Sequence, residues 1–383
     1  MNSPFGIWHG AAGTRTVSRV PVDDDFTGRL GIELPIVQAP MAGASGVALA
    51  IAVARAGGLG SLPAAMVGSE QLAGQIDEFR EATRAPLNLN FFCHVPPQVS
   101  RVQLDAWSES LSRFDTEFGV DRSAASAGPP RQPFDEDACQ LVERSRPEVV
   151  SFHFGLPAAE LVDRVRATGA VVMSSATTVA EAVWLENHGC DVVIAQGAEA
   201  GGHRGMFLTD DVAAQPGTMA LVPRVVDAVA VPVIAAGGIA SGRAVAAAFV
   251  LGASAVQIGT AYLLCPEALI SPVHRRALAG GSRDDTVLTN VFTGRPARGR
   301  RNRLVDELGP MSSDAPAFPA AGGAVAPLRA AAEAAGLGDF SPLWSGQAGV
   351  MTSDVPAEEL TRELMVSARA ALADAAGRTV QSG

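Results

Sequence analysis

A single imidazole set among glycines is the first group in this 383-residue chain equipped for chemistry. The segment Ala195–Gly205, AQGAEAGGHRG, places His203 beside Gly201, Gly202 and Gly205, just after the apolar run Val192-Val193-Ile194. Glycine lets backbone approach a ligand closely and adopt positive φ. Histidine exchanges a proton near neutral pH. A buried strand, a bare loop and a titratable group therefore coincide. The same residues would also suit a structural turn with a surface histidine.

Two later segments favour the chemical reading. VPVIAAGGIASG, Val231–Gly242, and ASAVQIGTAYL, Ala253–Leu263, each run from a short apolar strand into glycine. The first ends in Gly237-Gly238, with Ser241 as a helix N-cap, and the second in Gly259-Thr260. Backbone N–H groups at such turns cradle a phosphate, because helix N-termini carry unpaired donors and partial positive charge. Glycine turns after the last two strands of a (β/α)8 barrel are where that fold binds phosphate. A Walker-type loop is impossible, because the chain has no lysine.

These turns need strands to hold them. Eight short runs qualify: 36–39, 58–62, 87–91, 149–152, 171–174, 192–195, 233–236 and 255–258. Several are apolar throughout, as in a parallel sheet covered on both faces. Helical patterns lie between them, at 47–56, 69–81, 158–168, 178–188, 218–229 and 242–251. Repeated βα units with glycine at the strand ends predict a closed α/β (β/α)8 TIM barrel. An open doubly wound sheet would place its glycine fingerprint after the first strand, where PMAGASG, Pro40–Gly46, does not match it. Residues 119–133, rich in Gly, Pro, Ser and Ala, read as a loop insertion in the third βα unit. The barrel is expected over 1–283, and 284–383 as a C-terminal extension without a core of its own. Its last stretch, 357–376, reads as a helix packing on the barrel.

Composition narrows the function. A net charge of −11 argues against a nucleic-acid partner. Cys93, Cys139, Cys190 and Cys265 lack metal or redox spacing, so neither a metal site nor a disulfide framework is expected. No basic, then apolar, leader is visible at MNSPFGIWHG, which suggests a cytoplasmic location. The uncharged stretches 34–54 and 244–266 are long enough to cross a bilayer. Their internal Pro, Gln, Ser and Gly residues read instead as strand, turn and helix, so no membrane partner is expected.

Taken in order, these segments resemble the nitronate monooxygenase family, formerly 2-nitropropane dioxygenases. PIVQAPMAGASG, VVSFHFGLP, AQGAEAGGHRG, AAGGI and QIGT match its strand-end motifs in sequence. NLNFFCHVPP, Asn88–Pro97, is similar to the motif of its class I branch. VFTGRPARGRRNRL, Val291–Leu304, and LWSGQAG, Leu343–Gly349, extend the likeness beyond the barrel. The resemblance implies non-covalent FMN at the barrel mouth. It places Ala39, Pro40 and Met41 beside the isoalloxazine ring, with Asn90 and Gln196 on the ring or ribityl chain. Gly201, Gly238, Gln257, Ile258, Gly259 and Thr260 would surround the phosphate end. His203 corresponds to the family's active-site histidine. It would remove a carbon proton from a neutral nitroalkane, or bind and orient an anionic nitronate.

The implied reaction is FMN-dependent oxidation of alkyl nitronates by molecular oxygen to carbonyl compounds and nitrite. A rival is an NAD(P)H-dependent flavin reductase of the enoyl-acyl-carrier type, which shares the barrel and a similar Gly-Gly-His loop. A flavin-binding scaffold or sensor without turnover is a third reading. His94 and His153 occupy strand ends, while His9, His188 and His274 read as surface positions. The basic cluster Arg295, Arg298, Arg300, Arg301 and Arg303 reads as a solvated loop. Class I members line the substrate pocket with several tyrosines and a lysine. This chain has one tyrosine, Tyr262, and no lysine, so propionate 3-nitronate is one candidate substrate among others.

Overall fold

Apolar runs of four to six residues cannot stay in water, and here they pair with one another. The computed structural model describes residues 24–122, 131–280, 285–349 and 354–380. The first half of the chain runs α1 (Asp24–Leu30), β1 (Ile36–Gln38), α2 (Val47–Arg55), β2 (Gly60–Pro63), α3 (Ser69–Ala82), β3 (Leu87–Phe92), α4 (Arg101–Phe118), α5 (Glu136–Ser145), β4 (Val149–His153) and α6 (Ala159–Ala167). It continues through β5 (Val171–Ala176), α7 (Val179–Asn187), β6 (Val192–Gln196), β7 (Gly202–His203), α8 (Thr218–Val226), β8 (Val233–Ala236), α9 (Gly242–Val250) and β9 (Ala255–Ile258). After these come α10 (Pro272–Gly280), β10 (Thr286–Thr289), β11 (Ala297–Arg300), α11 (Arg303–Leu308), α12 (Ala321–Ala334) and α13 (Ala357–Val380).

Eight strands lie parallel in the order β1-β9-β8-β6-β5-β4-β3-β2. A parallel bridge between Val37 and Leu59 joins the two ends. The result is the expected (β/α)8 barrel, with all eight predicted strands present to within about two residues at their ends. The stretches 34–54 and 244–266 resolve into β1–α2 and α9–β9. Among the described residues no helix is long and apolar enough to cross a membrane.

The barrel has a dry floor and a polar ceiling. Phe26, Leu30 and Ile32, from α1 and its following turn, pack with Val149, Val192 and Ala255 at the strand starts. Toward the other end the buried inward positions turn polar. Ser61 N–H donates to Gln38 Oε1 at 2.9 Å, and Asn90 Nδ2 donates to Ser151 Oγ at 2.9 Å. The open end is therefore the C-terminal end of the strands, where this fold builds its sites.

Two features lie outside the plain barrel. No outer helix directly follows β9; α13 packs against α9 and α2 and covers that gap. The approach is close: a Cβ on Gly242 would stand 2.4 Å from Ser367 Cβ. The sequence shows no core for residues after 283, but the structure gives them one, shared with the third βα unit. Trp107, Leu111 and Phe114 of α4 pack with Leu304, Val325, Leu328 and Phe340. The Trp107 indole N–H also donates to Ala321 O at 3.1 Å. An amphipathic α4 alone does not reveal its partner, which lies some 200 residues further along the chain. Residues 123–130 of the expected insertion lie outside the described residues.

Candidate active site

A cavity of about 340 Å³ opens at the C-terminal end of the barrel. Ala39, Pro40, Met41, Asn90, Gln196, Gly201, His203, Gly238, Gln257, Gly259 and Thr260 all line it. Ile258 does not. Its side chain is fully buried in the layer between strands and helices. Alternation along β9 explains this: Gln257 and Gly259 face inward, so Ile258 between them faces out. It reaches the site only through its carbonyl, which accepts from Ala39 N–H at 2.8 Å.

The glycine side of the cavity is shaped by backbone. Gly238 has φ +71°, and a Cβ there would lie 3.3 Å from Glu199 Cβ. A Cβ on Gly201 would lie 2.5 Å from Gly346 N. Neither position tolerates a side chain without local movement. The Glu199 carboxylate caps α8, accepting from Thr218 N–H and its hydroxyl at 2.8 Å each. Gly346 N–H donates to Thr260 Oγ1 at 2.9 Å, which draws the extension over the β9 turn.

This half suits a flavin phosphate and its polar chain. The turns after β8 and β9 offer close backbone at helix starts. Gln257 Oε1 is buried, its residue lines the cavity, and it has no hydrogen-bond partner among the described residues. Such an orphan costs free energy unless a ligand donates to it. The residues present therefore fit the group the resemblance implies.

His203 sits on the opposite side of the loop, on β7. This two-residue strand pairs antiparallel with β11, His203 opposite Ala297 and Gly202 opposite Arg298. The loop is braced from below. Gln196 Nε2 donates to His203 O at 3.0 Å, and Gln196 Oε1 accepts from Gly205 N–H at 2.8 Å. The fully buried Arg204 donates to Gly197 O, Gln196 O and Gln215 Oε1. Gln196 thus has its side chain committed to the loop as well as facing the cavity.

The His203 Nε2 atom lies 2.9 Å from Thr293 Oγ1, and Nδ1 has no hydrogen-bond partner among the described residues. Phe318 and Trp344 pack around the ring at centroid distances of 5.2 and 5.5 Å. Burial pushes the His203 pKa well below its ordinary value, and the positive charges of Arg131 and Arg295 push it the same way. The imidazole is neutral at physiological pH. Burial also lowers His153 to about 3 and His94 to about 4. His153 lines the cavity, with Nδ1 3.0 Å from Ser175 Oγ. His94 packs behind it, 4.8 Å from the Phe318 ring centre.

Two sequence expectations are corrected. His274 is not a surface residue. It is buried, lines the cavity and has Nε2 3.1 Å from Trp344 O. Its neighbours Arg275 and Arg276 disguise it, because only one face of α10 turns inward. The basic cluster is not a solvated loop either. Arg298 and Arg300 are buried on β11, and the Arg295 guanidinium lies 4.1 Å from the Phe154 ring centre. Arg301 and Arg303 pair with Asp306 and Glu117. His188 is exposed and stacks on Trp184, while His9 lies outside the described residues.

Sequence reasoning missed the wall facing the glycine turns. Arg131, Arg329, Glu333, Ser341 and Trp344 line the cavity from the third βα unit and the extension. Only Trp344, within LWSGQAG, falls in a family-like motif; tertiary packing alone brings the others to the mouth.

A (β/α)8 barrel whose open end joins glycine turns, a buried amide oxygen without a partner among the described residues and a buried histidine fits a cofactor-binding enzyme. The comparisons specify it further. The nitronate monooxygenase family profile matches residues 24–367. A nitronate monooxygenase of Pseudomonas aeruginosa is 42% identical over 355 residues, covering 90% of this chain and 99% of that protein. The solved nitroalkane oxidase of Streptomyces ansochromogenes superposes with TM-score 0.83 at 36% identity, covering 92% and 99% of the two chains. FabK of Thermotoga maritima superposes less well, with TM-score 0.70 at 27% identity over 92% and 98%. The chain belongs to the nitronate monooxygenase family and is a flavin-dependent oxidoreductase.

Proposed function

We propose that this protein binds FMN and oxidises alkyl nitronates with molecular oxygen, giving a carbonyl compound and nitrite. One observation supports this most strongly: a single cavity joins a phosphate-shaped backbone cradle to a neutral histidine in positive surroundings. FMN, when bound, would accept electrons from the nitronate and pass them to oxygen. The cradle offers one phosphate place and no dinucleotide fingerprint, which suits FMN over FAD.

The protein's own part is binding and orientation. Asn90 and Gln257 would hold the polar parts of the flavin, with Ala39, Pro40 and Met41 against the ring. His203 is a weak base here, because its pKa is depressed. That favours orienting an anion over removing a carbon proton. An anion placed against Nδ1 selects the tautomer with hydrogen on that atom, and the Thr293 hydroxyl then donates to Nε2. The aromatic rings around His203 exclude water and strengthen that hydrogen bond. Free thiols at Cys93, Cys139, Cys190 and Cys265 suit a cytoplasmic location.

The test is an aerobic assay of purified holoprotein against a panel of nitronates, scoring nitrite, with the released flavin identified by chromatography. FMN and stoichiometric nitrite are expected. Recovery of FAD would overturn the FMN assignment, and rapid anaerobic bleaching by NADH without nitrite formation would replace this reading with the reductase.

A further inference from the structure

Most cations of this molecule have an acidic or backbone partner, and Arg131 is an exception at the mouth of the cavity. Among the described residues its side chain has one polar contact, Met66 Sδ at 3.9 Å, and its guanidinium lies 5.7 Å from the Phe318 ring centre. The cation that shares its wall is accounted for: Arg329 pairs with Glu333 at 2.9 Å, and Glu333 also accepts from Ser341 Oγ. Among the described residues Arg131 is half-buried and has no acidic partner, a costly state for a charge that an anion would relieve. Its own pKa is lowered by that burial, and the only charge that adds to the effect is another arginine, Arg329. The charges felt at His203 are all positive, Arg131 foremost.

The flavin phosphate does not explain this cation. The phosphate cradle follows β8 and β9, whereas Arg131 follows β3, on the far side of the strand ring. A planar guanidinium matches a planar group with two anionic oxygens. We propose that Arg131 anchors the two-oxygen anionic head of the substrate, opposite the phosphate end and beside His203. Two sources fit that chemistry: the nitronate itself, or a carboxylate carried on the same substrate. The inference rests on the proposed reaction for its substrate but not for its binding test.

Arg131→Gln and Arg131→Lys are compared with wild type as FMN-loaded holoproteins. The probe without turnover is nitrate, titrated while the flavin absorbance is followed. Arg131→Gln is expected to weaken nitrate binding and raise nitronate KM about tenfold or more. FMN occupancy and kcat should stay near wild type, and Lys should restore part of the loss. A KM rise for an uncharged-chain alkyl nitronate assigns the nitronate to Arg131. A rise confined to a carboxylated nitronate assigns the carboxylate. Unchanged nitrate affinity and unchanged KM for both substrates would overturn the proposal, as would loss of FMN in step with activity. If wild type makes no nitrite yet binds nitrate through Arg131, the proposed reaction fails and the anion anchor stands.

Discussion

The two walls of the cavity are built by different means. The wall proposed to face the flavin is backbone: the turns after β8 and β9, with Gly201 from the loop after β6. The facing wall is side chains gathered from the third βα unit and the extension, where Arg131, Arg329 and Trp344 meet. Backbone geometry fixes a shape common to one cofactor. Side chains at segment ends set charge and size without altering that shape. Changes on the first wall should therefore cost flavin, and changes on the second should cost substrate.

The sharpest way to break that division is Gly238→Leu. The positive φ disfavours any side chain there, and Glu199, whose Cβ would stand 3.3 Å from the new Cβ, would have to shift while the rest of the side chain entered the cavity. FMN occupancy should fall to near zero, and all activity with it, while far-ultraviolet circular dichroism of the apoprotein stays near wild type. Full occupancy in this variant would put the phosphate elsewhere and remove the backbone wall's role.

A smaller effect tests what both walls share. His153 on the barrel and His274 on α10 are buried and neutral, with pKa values of about 3 and about 4. Both lie below the unfolded value near 6.5, so below that pH the unfolded chain binds more protons than the folded one. Stability is complete above about pH 6.5 and falls as the pH drops toward 4. Each group adds up to about 1.4 kcal/mol per pH unit to the slope. Urea midpoints of the apoprotein at pH 7 and pH 5 measure it. His274→Asn should flatten the slope, and an unchanged slope would show that the α10 histidine is not held neutral.

The same contrast explains what could be read from the sequence. Eight apolar strands and their glycine turns are local features, each visible within a dozen residues, and ten of eleven expected cofactor contacts line the cavity. The Ile258 side chain does not line it, because a contiguous motif hides the alternation of a strand. Apart from His203 and the motif around Trp344, the second wall was not legible. β7 has two residues and gains its identity only by pairing with β11. Arg131 sits at the end of a Gly/Pro-rich stretch, and Arg329 within a helix of small residues. Nothing near either residue announces a cavity whose lining is drawn from the whole length of the barrel and its extension. Two of the post-barrel arginines were misjudged for the same reason: the charge of Arg298 and Arg300 suggested solvent, but β11 pairs with β7 and buries them.

His203 is proposed to serve the substrate and not the flavin, although the loop that carries it also brings Gly201 to the flavin side. His203→Ala, assayed for FMN affinity and for turnover of a preformed nitronate in one preparation, tests it most directly. The account predicts FMN affinity within about threefold of wild type and kcat/KM lower by about 10- to 150-fold, the worth of one hydrogen bond to a charged group. Loss of FMN in parallel with activity, or full activity with full flavin, would contradict it.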